Sequence, residues 1–212
     1  MVTPRNRNTS KPKLYREFTN AFYCGSIREQ GTVSQIARAR IVEIGANASE
    51  VCGHDPILKF FFDLWMHKRG SRIMPSRADF RPTDMRTHIG SIVVAEALQD
   101  YTDFRFKLIG TEVARYFLAD GTGKTIREAY APLDEHFGEC VLKNFRDAAA
   151  RRMPLHTRLD GIRWSNGFVF DMKAVYLPLS EDGSTASSVL TAFSYAFGKR
   201  PTDGGVPKLH TV

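Results

Sequence analysis

The stretch PLHTRLDGIRWSNGFVFDMKAVYLPL, residues 154–179, decides how this chain is read. It holds two runs rich in β-branched and aromatic residues, joined by Ser165-Asn166-Gly167. Asn-Gly suits a tight hairpin turn, because both residues tolerate the positive φ that such a turn needs. The two runs are therefore antiparallel neighbours. Along the second, a period of two puts Phe168, Phe170, Met172, Ala174 and Tyr176 on one face. Which face of the sheet meets the helices is not given by the pattern.

Reading outward, Glu181-Asp182-Gly183-Ser184 forms the next turn and SSVLTAFSYAF (187–197) the next strand. Upstream lies the longest helical pattern, residues 131–152. In it Leu133, Phe137, Val141 or Cys140, Phe145 and Ala148 recur at helical spacing. Two earlier runs, SIVVAEALQ (91–99) and FRFKLIG (104–110), flank a connection of hairpin length. In the second, Phe104, Phe106 and Leu108 alternate with Arg105, Lys107 and Ile109, so one buried and one wetter face are expected. TEVARYFLAD (111–120) reads as a short helix ended by Gly121.

Asp55-Pro56 reads as an N-cap followed by proline at the first helical position. The helix behind it carries a stripe of Ile57, Phe61, Leu64 and Trp65 and stops at Gly70. The segment after it is irregular, dense in Arg and Asp, and broken by Pro75 and Pro82, with Thr83 or Asp84 capping a short turn. Helix, two strands, short helices, a long helix and three strands make an α+β chain with an antiparallel sheet of about five strands.

Particular words carry a resemblance. Leu64-Trp65, Arg69-Gly70, Met74-Pro75-Ser76-Arg77-Ala78-Asp79 and Phe80-Arg81-Pro82 open it. Gly110-Thr111 follows the second strand, and a short turn runs from Gly123 to Glu128. In this order they resemble a PAS domain, specifically a compact single-domain bacterial PAS subfamily of unknown function, over residues 55–197. The resemblance implies a PAS-like five-stranded antiparallel sheet with helices over one face and an N-terminal flanking helix. It also implies a sensor or interaction module. Trp65, Arg69, Pro75, Arg77, Asp79, Pro82, Gly110, Thr111 and Gly123 are its motif residues, in a structural or partner-facing role. Arg69 or Arg77 is expected to clamp a carboxylate, with Asp79, Asp84 or Glu96 as candidates.

Gly121-Thr122-Gly123-Lys124-Thr125 looks at first like a phosphate cradle. The first glycine of G-x-x-x-x-G-K-[ST] would fall at Leu118, and the loop follows a helix rather than a strand. A turn between two short helices is expected instead.

The 212 residues are 42% hydrophobic and 25% charged, which suits one globular domain with an appendage. No apolar run is long enough to span a membrane and no secretory signal is visible, so a cytoplasmic location is expected. The net charge of +7 is uneven: residues 1–50 hold eight Lys/Arg against four Asp/Glu, which leaves +3 for the rest. Residues 1–50 read as a basic extension, partly disordered, with a short helix around 33–44; residues 55–197 form the domain and 198–212 a polar tail.

A PAS module implies a core pocket beneath the helices. Its expected lining is Tyr116, Phe117, Phe145, Phe170, Met172, Tyr176, Phe193 and Tyr195, since aromatic and Met side chains with polar tips suit a small molecule. An ordinary packed core needs the same residues. The cofactor is unknown: no histidine stands where haem would need it, the word that a flavin photosensor needs is absent, and Cys52 and His54 lack further zinc ligands nearby. No catalytic residues and no metal site are expected. The expected function is a non-catalytic sensor or adaptor that holds a small ligand, forms a homodimer through the helix at 57–69, and acts through a signalling protein partner. The rival is a nucleic-acid or anionic-surface binder using Arg5, Arg7, Lys11, Lys13, Arg16, Arg38 and Arg40 of the extension. The interspersed charge of the remainder disfavours nucleic acid.

Overall fold

A computed structural model describes Cys52 and residues 55–116, 121–132, 135–164 and 169–197, together with three short backbone strands nearer the N-terminus. Those three are β1 (Glu17–Phe18), β2 (Val33–Gln35) and β3 (Arg38–Glu43). Then come α1 (Pro56–Arg69), α2 (Pro82–Met85), β4 (Ile92–Ala97), β5 (Phe104–Ile109) and α3 (Thr111–Tyr116). The chain continues through α4 (Ile126–Tyr130), α5 (Glu135–Arg151), β6 (Leu155–Trp164), β7 (Val169–Leu179) and β8 (Ser188–Phe197).

The five expected strands form one antiparallel sheet in the order β6-β7-β8-β4-β5. The last strand therefore lies in the middle, beside the first of the five. The basic extension adds to the β6 edge, where both β2 and β3 pair with β6 and β1 pairs with β3. The helix expected around 33–44 is thus replaced by two strands. Val33, Ile41 and Val42 are β-branched, and the open edge of β6 offers them ladder partners that an isolated helix would lack. The remainder of residues 1–50, and the tail from 198, lie outside the described residues.

Both faces of the sheet are covered. From Ala174 to Leu179 every residue of β7 is buried. Tyr176 meets Phe145 of α5, with ring centroids 5.2 Å apart, so Met172, Ala174 and Tyr176 point to the inner face. Val175, Leu177 and Leu179 point the other way, and α1 is the helix packed on β7 and β8 from that side.

α1 begins as expected, with the Asp55 carboxylate accepting the Leu58 N–H at 3.2 Å and Pro56 at the first position. It ends at Gly70, φ 59°. Its buried stripe is rotated from the expected one: Leu58, Phe61, Phe62 and Trp65 are buried, whereas Ile57 and Leu64 are half-exposed flanks. Trp65 sets that rotation, because its indole Nε1 donates to the Pro178 carbonyl at 2.8 Å through the sheet's outer face.

Two further expectations need correction, and one, the cap at Thr83 or Asp84, is narrowed to Asp84. The alternation of β5 holds for Phe104 and Phe106, but a bulge across Lys107 puts Leu108 opposite Val94, on the outer side. Asp84 caps α2 from inside its first turn, accepting the Arg81 N–H at 3.1 Å. The carboxylate clamps use neither Arg69 nor Arg77. Arg72 holds Asp79 at 2.7 Å, Lys68 holds Asp84 at 2.7 Å and Lys107 holds Glu96 at 2.8 Å. Arg69 instead lies over the Trp65 ring, 5.6 Å from its centroid, which spends its reach on packing.

His156 on β6 faces the outer side near the start of α1 and is 6% exposed. Burial, reinforced by the Lys173 charge, lowers its pKa to about 4 from 6.5, against the opposing pull of Asp55. As pH falls below 6.5 the unfolded chain takes up this proton before the folded one does. Stability is therefore lost between about pH 6.5 and 4. Urea titrations at pH 7 and pH 4.5 should show wild type losing about 2 to 3 kcal/mol more than His156→Gln over that interval. Parallel losses in the two proteins would remove His156 as the cause.

Candidate functional site

The inner layer lies between α5 and the sheet. An aromatic series crosses it: Tyr101 stacks on Phe104 at 6.1 Å, Phe104 meets Phe145 at 5.4 Å, and Phe145 meets the edge of Tyr176. Tyr130 of α4 closes against Phe137 of α5 at 5.4 Å. Gly138 makes that closure possible, since a Cβ there would sit 2.7 Å from the Tyr130 Cβ.

Polar groups are set into this apolar layer. Asn144 of α5 donates to the Tyr176 hydroxyl at 3.3 Å. Thr191 of β8 stands directly opposite Tyr176 and Thr157 of β6 opposite Ala174, so both share the inner face. Thr191 is 0% exposed and its hydroxyl has no hydrogen-bond partner among the described residues. The Thr157 hydroxyl neighbours Tyr176 but makes no hydrogen bond of good geometry among the described residues.

Burial raises the pKa of Tyr130 far above the ordinary phenol value, helped by the nearby Tyr176. Burial likewise raises Tyr176, against the pull of Asn144 and Thr157. Both phenols are therefore neutral at physiological pH. Two phenols, two threonine hydroxyls and a carboxamide can orient a neutral polar molecule by hydrogen bonds; they supply no general base near pH 7.

Of the expected lining residues, Phe145, Met172 and Tyr176 meet in this layer and are buried. Phe193 and Tyr195 share the face, stacked at 6.3 Å with planes 4° apart, but are only partly buried. The side chains of Tyr116 and Phe170, and all of Phe117, lie outside the described residues. Thr157, Thr191, Asn144 and Tyr130 were not on the expected list. For Thr191 the signal was present: it stands two and four residues before Phe193 and Tyr195, which period two puts on one face.

The loop at 121–125 is a turn. The Gly123 N–H donates to the Phe106 carbonyl at 2.8 Å, that of Lys124 to Gly121 at 3.0 Å, and that of Thr125 to Glu128 at 2.8 Å. Amides already bonded in this way cannot wrap a phosphate. The Thr125 hydroxyl in turn accepts the Glu128 N–H, completing a capping box for α4.

Cys52 is buried, and burial, helped by Asp55 and Asp63, pushes its thiol up to about 11, so it is a poor nucleophile. Among the described residues no group of three or more His, Cys, Asp and Glu converges as a metal site would require. Among them, too, no helix is long and apolar enough to cross a membrane.

Comparison with known proteins is consistent with the five-stranded antiparallel sheet and its helices. A family model described as PAS domain matches residues 54–194, well over half the chain. No curated protein and no solved structure matches the chain.

Proposed function

From the PAS domain family, to which this chain belongs, we propose a non-catalytic cytoplasmic sensor or adaptor that binds a small neutral ligand in its inner layer and acts through a partner protein. Family membership supports a signalling sensor role in general. The observation that carries the ligand reading is the Thr191 hydroxyl, fully buried on the same sheet face as its cross-strand neighbour Tyr176 and without a hydrogen-bond partner among the described residues. Buried hydroxyls are nearly always satisfied, so one left open beside a polar cluster suits a group supplied from outside the chain. A ligand there acts by binding one arrangement of α5 over the sheet better than another, since only differential affinity shifts a population.

The homodimer reading moves to a different surface of α1. The stripe that pairs with the sheet is unavailable, which leaves the half-exposed flank of Ile57, Phe60 and Leu64. The His88 ring packs 5.2 Å from Phe60, and the next residue, Ile89, is 37% exposed beside it. The nucleic-acid reading has less support, because β1, β2 and β3 tie parts of the basic extension into the sheet.

Native mass spectrometry with an ultraviolet–visible spectrum tests the ligand. The purified protein is expected to carry an extra mass that denaturation releases. Thr191→Val should keep stability within about 1 kcal/mol of wild type while losing that mass. An empty wild-type protein, with Thr191→Val more stable than wild type, would make the hydroxyl an unsatisfied core group and end the ligand reading.

A further inference from the structure

Residues 68–86 carry six Lys/Arg and two Asp/Glu, a net of +4. The chain beyond residue 50 sums to +3, so its excess positive charge lies wholly in these nineteen residues and the rest is close to neutral. Two nested ion pairs fold the segment back on itself: Lys68 to Asp84 on the outside, Arg72 to Asp79 within. Both acids also serve the backbone, Asp79 accepting the Ser76 N–H at 2.8 Å and Asp84 the Arg81 N–H. Glu181, arriving from the far end of β7, accepts from the Ser76 hydroxyl at 3.0 Å and the Arg77 N–H at 3.1 Å. The Ser180 N–H donates to the Pro75 carbonyl at 2.9 Å and pins the segment to the sheet.

The acids are thus engaged in shaping the segment, while three of the arginines are not. Arg77, Arg81 and Arg86 are exposed and none forms an ion pair within 4.0 Å among the described residues, although the Arg81 charge helps to lower the Asp84 pKa. Between Arg72 and Arg77 stands Ile73, 50% exposed, the most exposed large apolar side chain among the described residues.

We infer that residues 68–86 are the docking surface for an acidic segment of a partner protein, one carrying an apolar side chain that seats on Ile73 beside Arg77, Arg81 and Arg86. This rests on the adaptor reading for the existence of a partner and adds the partner's chemistry. Guanidinium groups held on capped turns are ready for carboxylates, and a surface already ordered loses little entropy on binding. A nucleic acid fits less well: the helical elements here are three and four residues long, too short to enter a groove, and an exposed isoleucine adds nothing to phosphate contacts.

The test is fluorescence anisotropy of the full chain with a labelled peptide of repeated Glu-Glu-Leu units, beside a Gln-Gln-Leu peptide, oligo-glutamate and a random DNA duplex. The Glu-Glu-Leu peptide is expected to bind and to weaken as salt rises. The triple variant Arg77→Gln, Arg81→Gln, Arg86→Gln should weaken it about tenfold or more, and Ile73→Ser about threefold. These side chains are exposed, so melting curves should match wild type. The basic extension is unchanged in both variants, so any binding it contributes persists as a residue common to all three proteins. Equal binding by wild type and the triple variant overturns the proposal. Tighter binding of the duplex, lost in the triple variant, overturns it in favour of a nucleic-acid surface. The peptide assay needs neither core ligand nor co-purifying partner, so its failure is separable from failure of the adaptor reading.

Discussion

Gly110→Ala is expected to lower the melting temperature of the domain by about 6 to 12 °C, the equivalent of roughly 3 kcal/mol. A Cβ built on Gly110 lies 2.2 Å from the Gly90 carbonyl oxygen, 2.5 Å from its carbon and 2.6 Å from the Ile89 oxygen. All three are backbone atoms, so no rotamer change relieves the overlap. The Gly110 N–H also donates to Ile92 at 2.7 Å, and any retreat lengthens that bond. Retreat would further part α3 from the turn at 89–91, where Ser91 hydrogen-bonds Glu112. Gly123→Ala makes an instructive comparison. Nothing lies within 4 Å of its Cβ, and its cost of about 1 to 2 kcal/mol comes only from a φ of +87°. Thermal unfolding followed by circular dichroism separates the two. A shift below about 2 °C for Gly110→Ala would mean that the contact with Gly90 is not held in solution.

Trp65→Ala is expected to cost about 3 to 5 kcal/mol, the range for emptying a large buried aromatic site. Trp65 is 1% exposed and is the largest fully buried side chain described. It fills the space between α1 and the outer face of the sheet, its indole N–H satisfies the Pro178 carbonyl, and Arg69 packs over its ring. Trp65→Phe keeps most of the volume but strands that buried carbonyl, at a cost of about 1 to 2 kcal/mol. Urea denaturation gives both values, and hydrogen exchange shows where the loss falls. Amides of residues 56–69 should exchange faster in Trp65→Ala before the sheet does, because the lost contact is the one that ties α1 to the sheet at Pro178. A loss under about 1.5 kcal/mol for the alanine variant would show that α1 is held mainly by Leu58, Phe61 and Phe62.

These two residues show how far the sequence could be read. Gly110 and Trp65 were both singled out as motif residues, and each has a backbone or packing reason that a motif alone does not state. Arg69 and Arg77 stood in the same motif, yet the carboxylates went to Arg72 and Lys68. Arginine and lysine are long enough to reach several acids, and which acid each meets depends on how the turns fold. The inner layer was legible in part. Period two grouped Met172, Ala174 and Tyr176 correctly, but Thr157 and Asn144 come from other elements and meet only when β6 and α5 close on β7.

What the sequence by itself determined was local: the cap at Asp55, the stop at Gly70, the turn at Gly123, and the strands from 92 onward. Each follows from backbone sterics or hydrophobic period within a few residues. Tertiary structure alone decided which sheet face each strand residue meets, the rotation of α1, and the fate of residues 33–43. A half-apolar, β-branched segment has no strong preference of its own, and the unpaired edge of β6 supplied the hydrogen bonds that made it strand.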